Sequence, residues 1–159
     1  MKTKSIIIAL ISLALIFAFG CTPKEKTTEI EIVDLVIDLP GTWHIDSEGS
    51  TLSVEEYYTD ENNNIVLVTF RRDEENSTKA ERKLFISLLG EQGYTTGIID
   101  NEQLDFAGYG IIKEGNLYGV QMFIDIDNGR YAITRIGEFE DENAAATYCK
   151  TILNSARKK

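Results

Sequence analysis

Runs of alternating apolar and polar residues, separated by turn residues, constrain the fold of this chain most strongly. One such run covers residues 30–39, and Pro40-Gly41 ends it. Alternation with a period of two is typical of a strand that buries one face. Asn128-Gly129 lies between two further runs and is a residue pair that two-residue hairpin turns favour. The sequence therefore predicts an antiparallel sheet.

The remaining strands follow from the same pattern. They are predicted at 52–58, 65–71, 104–114, 118–126 and 130–137. The Asp- and Asn-rich link Asp60–Asn64 predicts a hairpin between the first two of these strands. Apolar residues occupy both faces of the 65–71 run, which predicts a central strand covered on two sides.

Two segments have the spacing of helices. The first has a capping box at Thr78 and Glu81 and a stop signal at Gly93. Its apolar residues at helical spacing are Ala80, Leu84 and Leu88.

The second helix is predicted from its N-cap Asp141 to Ala156, with basic residues 157–159 at the negative end of its dipole. Its apolar face includes Cys149, which we expect to be buried. The predicted fold class is α+β, with an antiparallel sheet of about six strands packed with two helices in one domain, residues 30–157.

The first twenty residues have the pattern of a secretory leader. Lys2 and Lys4 precede the run 6–19, which is apolar except for one serine. The run is shorter than the roughly 20 residues that span a bilayer, and its length matches a signal-peptide core. Gly20-Cys21 resembles the cleavage site of bacterial lipoproteins, the lipobox, which implies cleavage before Cys21 and acylation of its thiol. An ordinary signal peptide and a retained membrane anchor are the alternatives.

This reading divides the chain into a signal peptide at 1–20, Cys21 with a polar tether to residue 29, and the domain. Two or more acyl chains give stable anchoring, so we expect the protein on the extracytoplasmic face of the cell membrane. Inner and outer membranes both stay open. Removal of residues 1–20 takes away Lys2, Lys4 and no acid, which changes the net charge from −10 to −12.

Composition argues against several classes of function. Acidic residues outnumber basic ones 26 to 16, whereas a nucleic-acid binder needs a basic face. One His and two Cys supply too few ligands for an ordinary zinc or iron–sulfur site. The acidic loops 60–64 and 125–129 depart from the spacing of a calcium loop and are predicted as turns. We therefore expect no cofactor and no metal.

Candidate catalytic residues are equally sparse. His44 is the only histidine, and its thiol partner would be Cys149, which is predicted to be buried and inert. Gly108-Tyr109-Gly110 lacks the third glycine of a dinucleotide-binding loop and lies within a strand pattern. Paired acids such as Glu55-Glu56 are predicted as solvated positions. These observations predict a protein that is not an enzyme.

Large aromatic residues offer one possible partner surface. Tyr and Trp are enriched at protein interfaces, so outward-facing rings would suit a partner. The candidate residues are Trp43, Tyr57, Tyr109 and Tyr131. Strand tyrosines that close the edge of the core are the alternative.

The order of these elements resembles the PsbP-like family over about residues 30–157. Leu39-Pro40-Gly41-Thr42-Trp43 after the first strand and the spacing of the two helices carry the resemblance. It implies a non-catalytic accessory or binding protein and supplies no catalytic motif.

The leading hypothesis is a non-enzymatic, lipid-anchored accessory domain that binds a protein at the cell envelope. The alternative is a lipoprotein that holds a solute or a cation between sheet and helix. A third hypothesis is a hydrolase with an unfamiliar carboxylate site.

Overall fold

The computed structural model describes residues 26–46, 56–72, 79–115 and 117–159, which form ten strands and two helices. The strands are β1 Thr27–Ile32, β2 Leu35–Pro40, β3 His44–Ile45, β4 Glu56–Thr59, β5 Ile65–Arg72, β6 Thr95–Ile99, β7 Phe106–Glu114, β8 Leu117–Ile126, β9 Gly129–Gly137 and β10 Arg157–Lys158. The helices are α1 Lys79–Glu91 and α2 Glu142–Ser155. Gly20, Cys21, Glu55, Thr78 and the predicted strand before residue 56 lie outside the described residues.

Seven strands form one sheet in the order β3-β4-β5-β9-β8-β7-β6, with antiparallel pairing throughout. Asp127 and Asn128 join β8 to β9, and both have the positive φ that a tight two-residue turn requires. Asp60 closes the β4–β5 hairpin, because its carboxylate accepts hydrogen bonds from the backbone N–H groups of Asn62 and Asn64 at 2.9 Å. The predicted α+β class and both hairpins are confirmed.

The first predicted strand is in fact two strands. β1 and β2 form a hairpin that turns at Val33-Asp34, and β10 pairs with the other edge of β2. Val33 has a φ of 56°. A β-branched residue rarely takes this conformation, so the residue types gave no signal of a turn. β1 also begins at Thr27, within the segment predicted as tether.

The two helices cover opposite faces of the seven-stranded sheet. α2 packs with β2 over the main core, where the apolar residues of β7, β8 and β9 alternate inward. Ile152 and Leu153 of α2 are fully buried there. α1 covers a smaller cluster on the other face, in contact with β6 and β7.

The buried face of α1 differs from the sequence prediction. Arg82, Ile86 and Leu89 face the sheet and are buried. The residues that were predicted from helical spacing, Ala80, Leu84 and Leu88, are all exposed. Apolar residues therefore form two stripes on this helix. The buried stripe includes an arginine, so the spacing of apolar residues alone predicted the exposed stripe.

Two further details of the sheet differ from the pattern. β6 was not predicted. β5 is internal to the sheet, but only Val66 and Val68 are buried, whereas Ile65 and Leu67 on the opposite face are half-buried. The glycines of β7 make room for α1, since a Cβ on Gly108 would lie 3.1 Å from the Ile86 side chain.

The basic C-terminus forms strand β10 and does not extend α2. Asp141 caps α2 as predicted, with its side chain accepting from the Ala144 N–H at 2.7 Å. Past the helix, Arg157 pairs with Glu29 and with Asp38 at 3.3 Å. Arg157 therefore binds acidic residues of β1 and β2, and it also donates to the Ser155 carbonyl at the end of α2 at 3.0 Å.

Candidate functional site

The aromatic residues predicted as a partner surface lie mainly in the core. Trp43, Tyr109 and Tyr131 are all buried, so for these three the surface prediction is wrong. The side chain of Tyr57 lies outside the described part of the structure. Tyr109 and Tyr131 are buried because strand alternation places their rings on the inward face that α2 and β2 cover, and Trp43 packs into the same core from the turn between β2 and β3.

Trp43 and Tyr131 each use their polar atom inside the protein. The Trp43 indole N–H donates to the Pro40 carbonyl at 2.9 Å, which closes the turn after β2. The Tyr131 hydroxyl donates to the carboxylate of Asp34, and burial together with this bond raises the pKa of Tyr131. Both rings therefore stabilise the fold and are not available to a partner.

His44 and Cys149 do not form a catalytic pair. His44 is exposed on the edge strand β3, whereas Cys149 is fully buried on α2. Burial raises the pKa of the Cys149 thiol to about 12. Because the thiolate is the nucleophile, a thiol with this pKa is inert at neutral pH.

The most unusual feature of the buried core is an arginine inside a cluster of aromatic rings. Arg135 lies on the inward face of β9 and is 8% exposed. Its guanidinium carbon is 3.9 Å from the ring centroid of Phe139, 4.6 Å from that of Tyr148 and 5.9 Å from that of Trp43. We call these four residues the Arg135 cage.

The Arg135 cage has two polar atoms without a hydrogen-bond partner. They are Nε of Arg135 and the hydroxyl of Tyr148, both buried. No carboxylate of the described residues lies within ion-pair distance of Arg135. Asp60 acts on it at longer range, and its oxygens already accept hydrogen bonds within the β4–β5 hairpin.

The charge of Arg135 is costly in this position. Burial lowers the pKa of the guanidinium, yet an arginine does not lose its proton in a protein. The three rings offset part of the cost through cation–π attraction. Burial also raises the pKa of Tyr148, so its hydroxyl stays protonated and can donate.

An open cleft of about 310 Å³ adjoins the Arg135 cage. Two of the caging rings, Phe139 and Tyr148, also form its wall. The other residues that line it are Pro40, Ala144, Thr147 and Thr151. The cleft thus combines apolar walls, two threonine side chains and a nearby cation, which are the elements of a small-molecule or peptide site.

The cleft lies at the end of the domain where the described chain begins. Pro40 is the register partner of Thr27, the first residue of β1. Neighbouring strands are about 4.8 Å apart, so the wall of the cleft is one strand away from the start of the fold.

The opposite face of the sheet holds a second buried arginine, in a different environment. Nε of Arg82 lies 2.5 Å from the carboxylate of Asp125, which is itself buried. Nε of Arg130, the cross-strand partner of Asp125, lies 3.0 Å from the same carboxylate. This carboxylate therefore binds both arginines and links α1 to β8 and β9.

The outer side of α1 exposes apolar residues. Leu84 and Leu88 lie one turn apart and are 60% and 45% exposed. Phe85 beside them is partly exposed and packs edge-on against Phe123. Side chains one turn apart on a helix form a continuous strip of surface.

The sequence contained a signal for the Arg135 cage that was missed. In 129–137, Tyr131, Ile133 and Arg135 alternate on one face of β9. A charged residue in the buried register of a strand is uncommon and needs a compensating partner. Phe139 and Tyr148 could not be assigned to it without the tertiary structure.

Comparison of the sequence with protein-family models and with curated proteins finds no match. Among solved structures, the chain is similar to cyanobacterial PsbP (CyanoP) from Synechocystis sp. PCC 6803, determined in solution. The TM-score is 0.57 at 10% sequence identity, over 88% of this chain and 96% of that chain. The chain therefore has a PsbP-like fold, and the likeness at this identity concerns the fold alone.

The described residues contain neither a membrane-spanning helix nor a cluster of metal ligands. No helix there has the length and apolar character needed to cross a membrane. The same residues contain no group of three or more His, Cys, Asp or Glu placed to hold a metal ion.

Proposed function

We propose that the mature protein is a non-enzymatic accessory domain, anchored to the extracytoplasmic face of the cell membrane through Cys21, that binds another envelope protein. Gly20-Cys21 after the apolar run 6–19 supports the anchor. The PsbP-like fold agrees with a binding role. The inert Cys149 and its separation from His44 give no support to thiol catalysis.

Because β1 begins only a few residues after Cys21, an anchor at Cys21 would keep the domain close to the membrane. Residues 22–26 separate Cys21 from Thr27, where the fold begins. Five fully extended residues reach at most roughly 18 Å. A lipidated Cys21 would therefore hold the domain, with the Pro40 end nearest, close to the bilayer.

The observation that carries the binding role is the exposed apolar strip of α1, Leu84 and Leu88. It belongs to the face of the sheet opposite to β1 and β2, so it stays accessible on an anchored domain. Apolar residues together on the surface of a protein mark contact sites for partners.

Crosslinking in intact cells followed by mass spectrometry tests this proposal. We expect the wild-type protein to yield one abundant envelope partner, and Leu84→Glu with Leu88→Glu to lose it. Lys83→Glu changes the net charge by the same two units at another exposed position of α1 and should retain the partner. Loss in both variants, or in neither, would argue against the strip.

The anchor has a separate test. Cys21→Ala should release the protein from the membrane fraction or leave the signal peptide uncleaved, as seen from the mass. Unchanged membrane retention and an unchanged mass would overturn the lipidation of Cys21.

A further inference from the structure

We propose that the cleft beside the Arg135 cage is a binding site for a carboxylate attached to an apolar group, with Arg135 and the Tyr148 hydroxyl as its polar contacts. The proposal goes beyond the accessory role and does not depend on the anchor or on the α1 strip. It names the class of ligand for the alternative hypothesis of a solute-binding lipoprotein.

Arg135 is buried, and its Nε has no hydrogen-bond partner among the described residues. A buried polar group without a partner is rare in native proteins and calls for an explanation. Here the unpartnered group is a cation, in a protein whose net charge is −10. Arg82 on the opposite face shows the usual solution, a carboxylate at 2.5 Å. Arg135 lacks that carboxylate within the chain as described.

Both unpartnered atoms of the Arg135 cage are hydrogen-bond donors. Nε–H of Arg135 and the Tyr148 hydroxyl can both donate, and a carboxylate has two oxygens that only accept. Charge-assisted hydrogen bonds of this kind are about twice as strong as neutral ones. A neutral amide of the same shape has only one accepting oxygen, places an NH2 donor where the second oxygen would be, and lacks the negative charge that attracts the guanidinium.

The adjoining cleft shares two aromatic rings with the Arg135 cage. Phe139 and Tyr148 contribute to both cage and cleft, so the cleft reaches the rings that surround the guanidinium. Pro40 and these rings offer apolar contact to the rest of a ligand, and Thr147 offers a hydroxyl, whereas the Thr151 hydroxyl already donates to the Thr147 carbonyl at 2.9 Å. A volume of about 310 Å³ suits a small acid or the last residue of a peptide.

Binding is measured with the full-length protein, purified in detergent, through the fluorescence of its single tryptophan. Trp43 is a wall of the cage, so occupancy beside Arg135 changes its surroundings. The probes are phenylacetate and N-acetyl-Ala-Phe with a free C-terminus, each compared with its own amide. We expect the acids to bind with roughly millimolar affinity or tighter and to raise the melting temperature, and the amides to do neither.

Variants assign the binding to the proposed atoms. Arg135→Met should weaken acid binding roughly tenfold to hundredfold and Tyr148→Phe roughly threefold to tenfold. Arg72→Met removes an exposed arginine of the same sheet and should bind the acids as the wild type does.

The possible outcomes distinguish a small free acid, a peptide C-terminus and the absence of a binding site. Response to phenylacetate identifies a small free acid as sufficient, whereas response to the peptide alone identifies a chain terminus. Equal binding of acid and amide would overturn the proposal, as would unchanged binding in Arg135→Met. No response at about 10 mM, where a millimolar site is nearly filled, would also overturn it and leave the Arg135 cage as a purely structural device.

Discussion

The two faces of the sheet bury an arginine in opposite ways. On the α1 face, Arg82 shares the buried carboxylate of Asp125 with Arg130, at 2.5 and 3.0 Å. On the α2 face, Arg135 lies among three aromatic rings and has an unpartnered Nε. One cation is neutralised within the chain, whereas the other is only shielded.

The two arginines therefore contribute differently to the stability of the fold. Removal of one partner from a buried ion pair strongly lowers the stability of the fold, because the other charge is left buried without compensation. A buried charge without a pair carries a desolvation cost that no ion pair offsets, so we expect an apolar side chain of similar size in its place to cost the fold little. The α1 site therefore supports stability, and Arg135 is the one whose cost to the fold requires another explanation.

Removal of Asp125 should produce the largest effect on the paired site. Asp125→Ala leaves Arg82 buried without its nearest carboxylate, and we expect a loss of about 3–5 kcal/mol in the free energy of unfolding. Urea unfolding followed by circular dichroism measures it. The control is Asp105→Ala, whose half-exposed carboxylate lies 4.0 Å from Arg82 and should contribute less than about 1 kcal/mol. Equal losses would mean that burial of Asp125 is unimportant.

The aromatic side of the comparison depends on the rings themselves. Trp43→Ala removes a buried indole and the hydrogen bond to the Pro40 carbonyl, with an expected loss of about 3 kcal/mol. Trp43→Phe keeps a ring and separates the hydrogen bond from the packing. Urea unfolding again gives the measurement, and a loss below about 0.5 kcal/mol for the alanine variant would contradict the burial of Trp43.

Cys149 tests how the α2 face tolerates another polar group. Cys149→Ser buries a hydroxyl next in sequence to Tyr148, whose own hydroxyl has no partner, and should cost about 1–3 kcal/mol. Cys149→Ala removes the sulfur without adding a polar atom. A serine variant as stable as the alanine variant would show that the hydroxyl finds a partner.

The same thiol predicts a dependence on alkaline pH. Burial raises the pKa of Cys149 from 9.0 to about 12 in the folded protein. Above pH 9 the unfolded chain loses this proton while the folded chain keeps it, so stability falls as the pH rises towards 12. Buried tyrosines add to the decline. Cys149→Ala should reduce the slope by about 1 kcal/mol per pH unit, and an unchanged slope would contradict the raised pKa.

The sequence predicted the framework of the fold better than the polar residues inside it. The β8–β9 hairpin and the N-cap Asp141 were predicted because their signals depend on neighbours in the chain, although the turn residues are Asp127-Asn128, one position before the predicted Asn128-Gly129. The Val33 turn was missed because this residue type rarely turns a chain. The buried arginines were missed for a third reason, since a partner such as Asp125 for Arg82 becomes visible only when α1 packs on β8.

The smallest expected change in stability comes from Arg135 itself, and it is the sharpest test of the comparison. Arg135→Met keeps an unbranched side chain among the rings, where a thioether also makes favourable contacts. It removes a buried charge that has no carboxylate, so we expect the free energy of unfolding to stay within about 1 kcal/mol of the wild type or to rise.

Urea unfolding of the Arg135→Met variant beside Asp125→Ala places both faces on one scale. A loss of about 3 kcal/mol or more for Arg135→Met would mean that cation–π attraction alone stabilises this arginine as firmly as a carboxylate does, and the contrast between the faces would disappear. A stable variant would mean that the fold does not require the charge. The acid-binding measurement on the same variant then decides whether the cleft requires it.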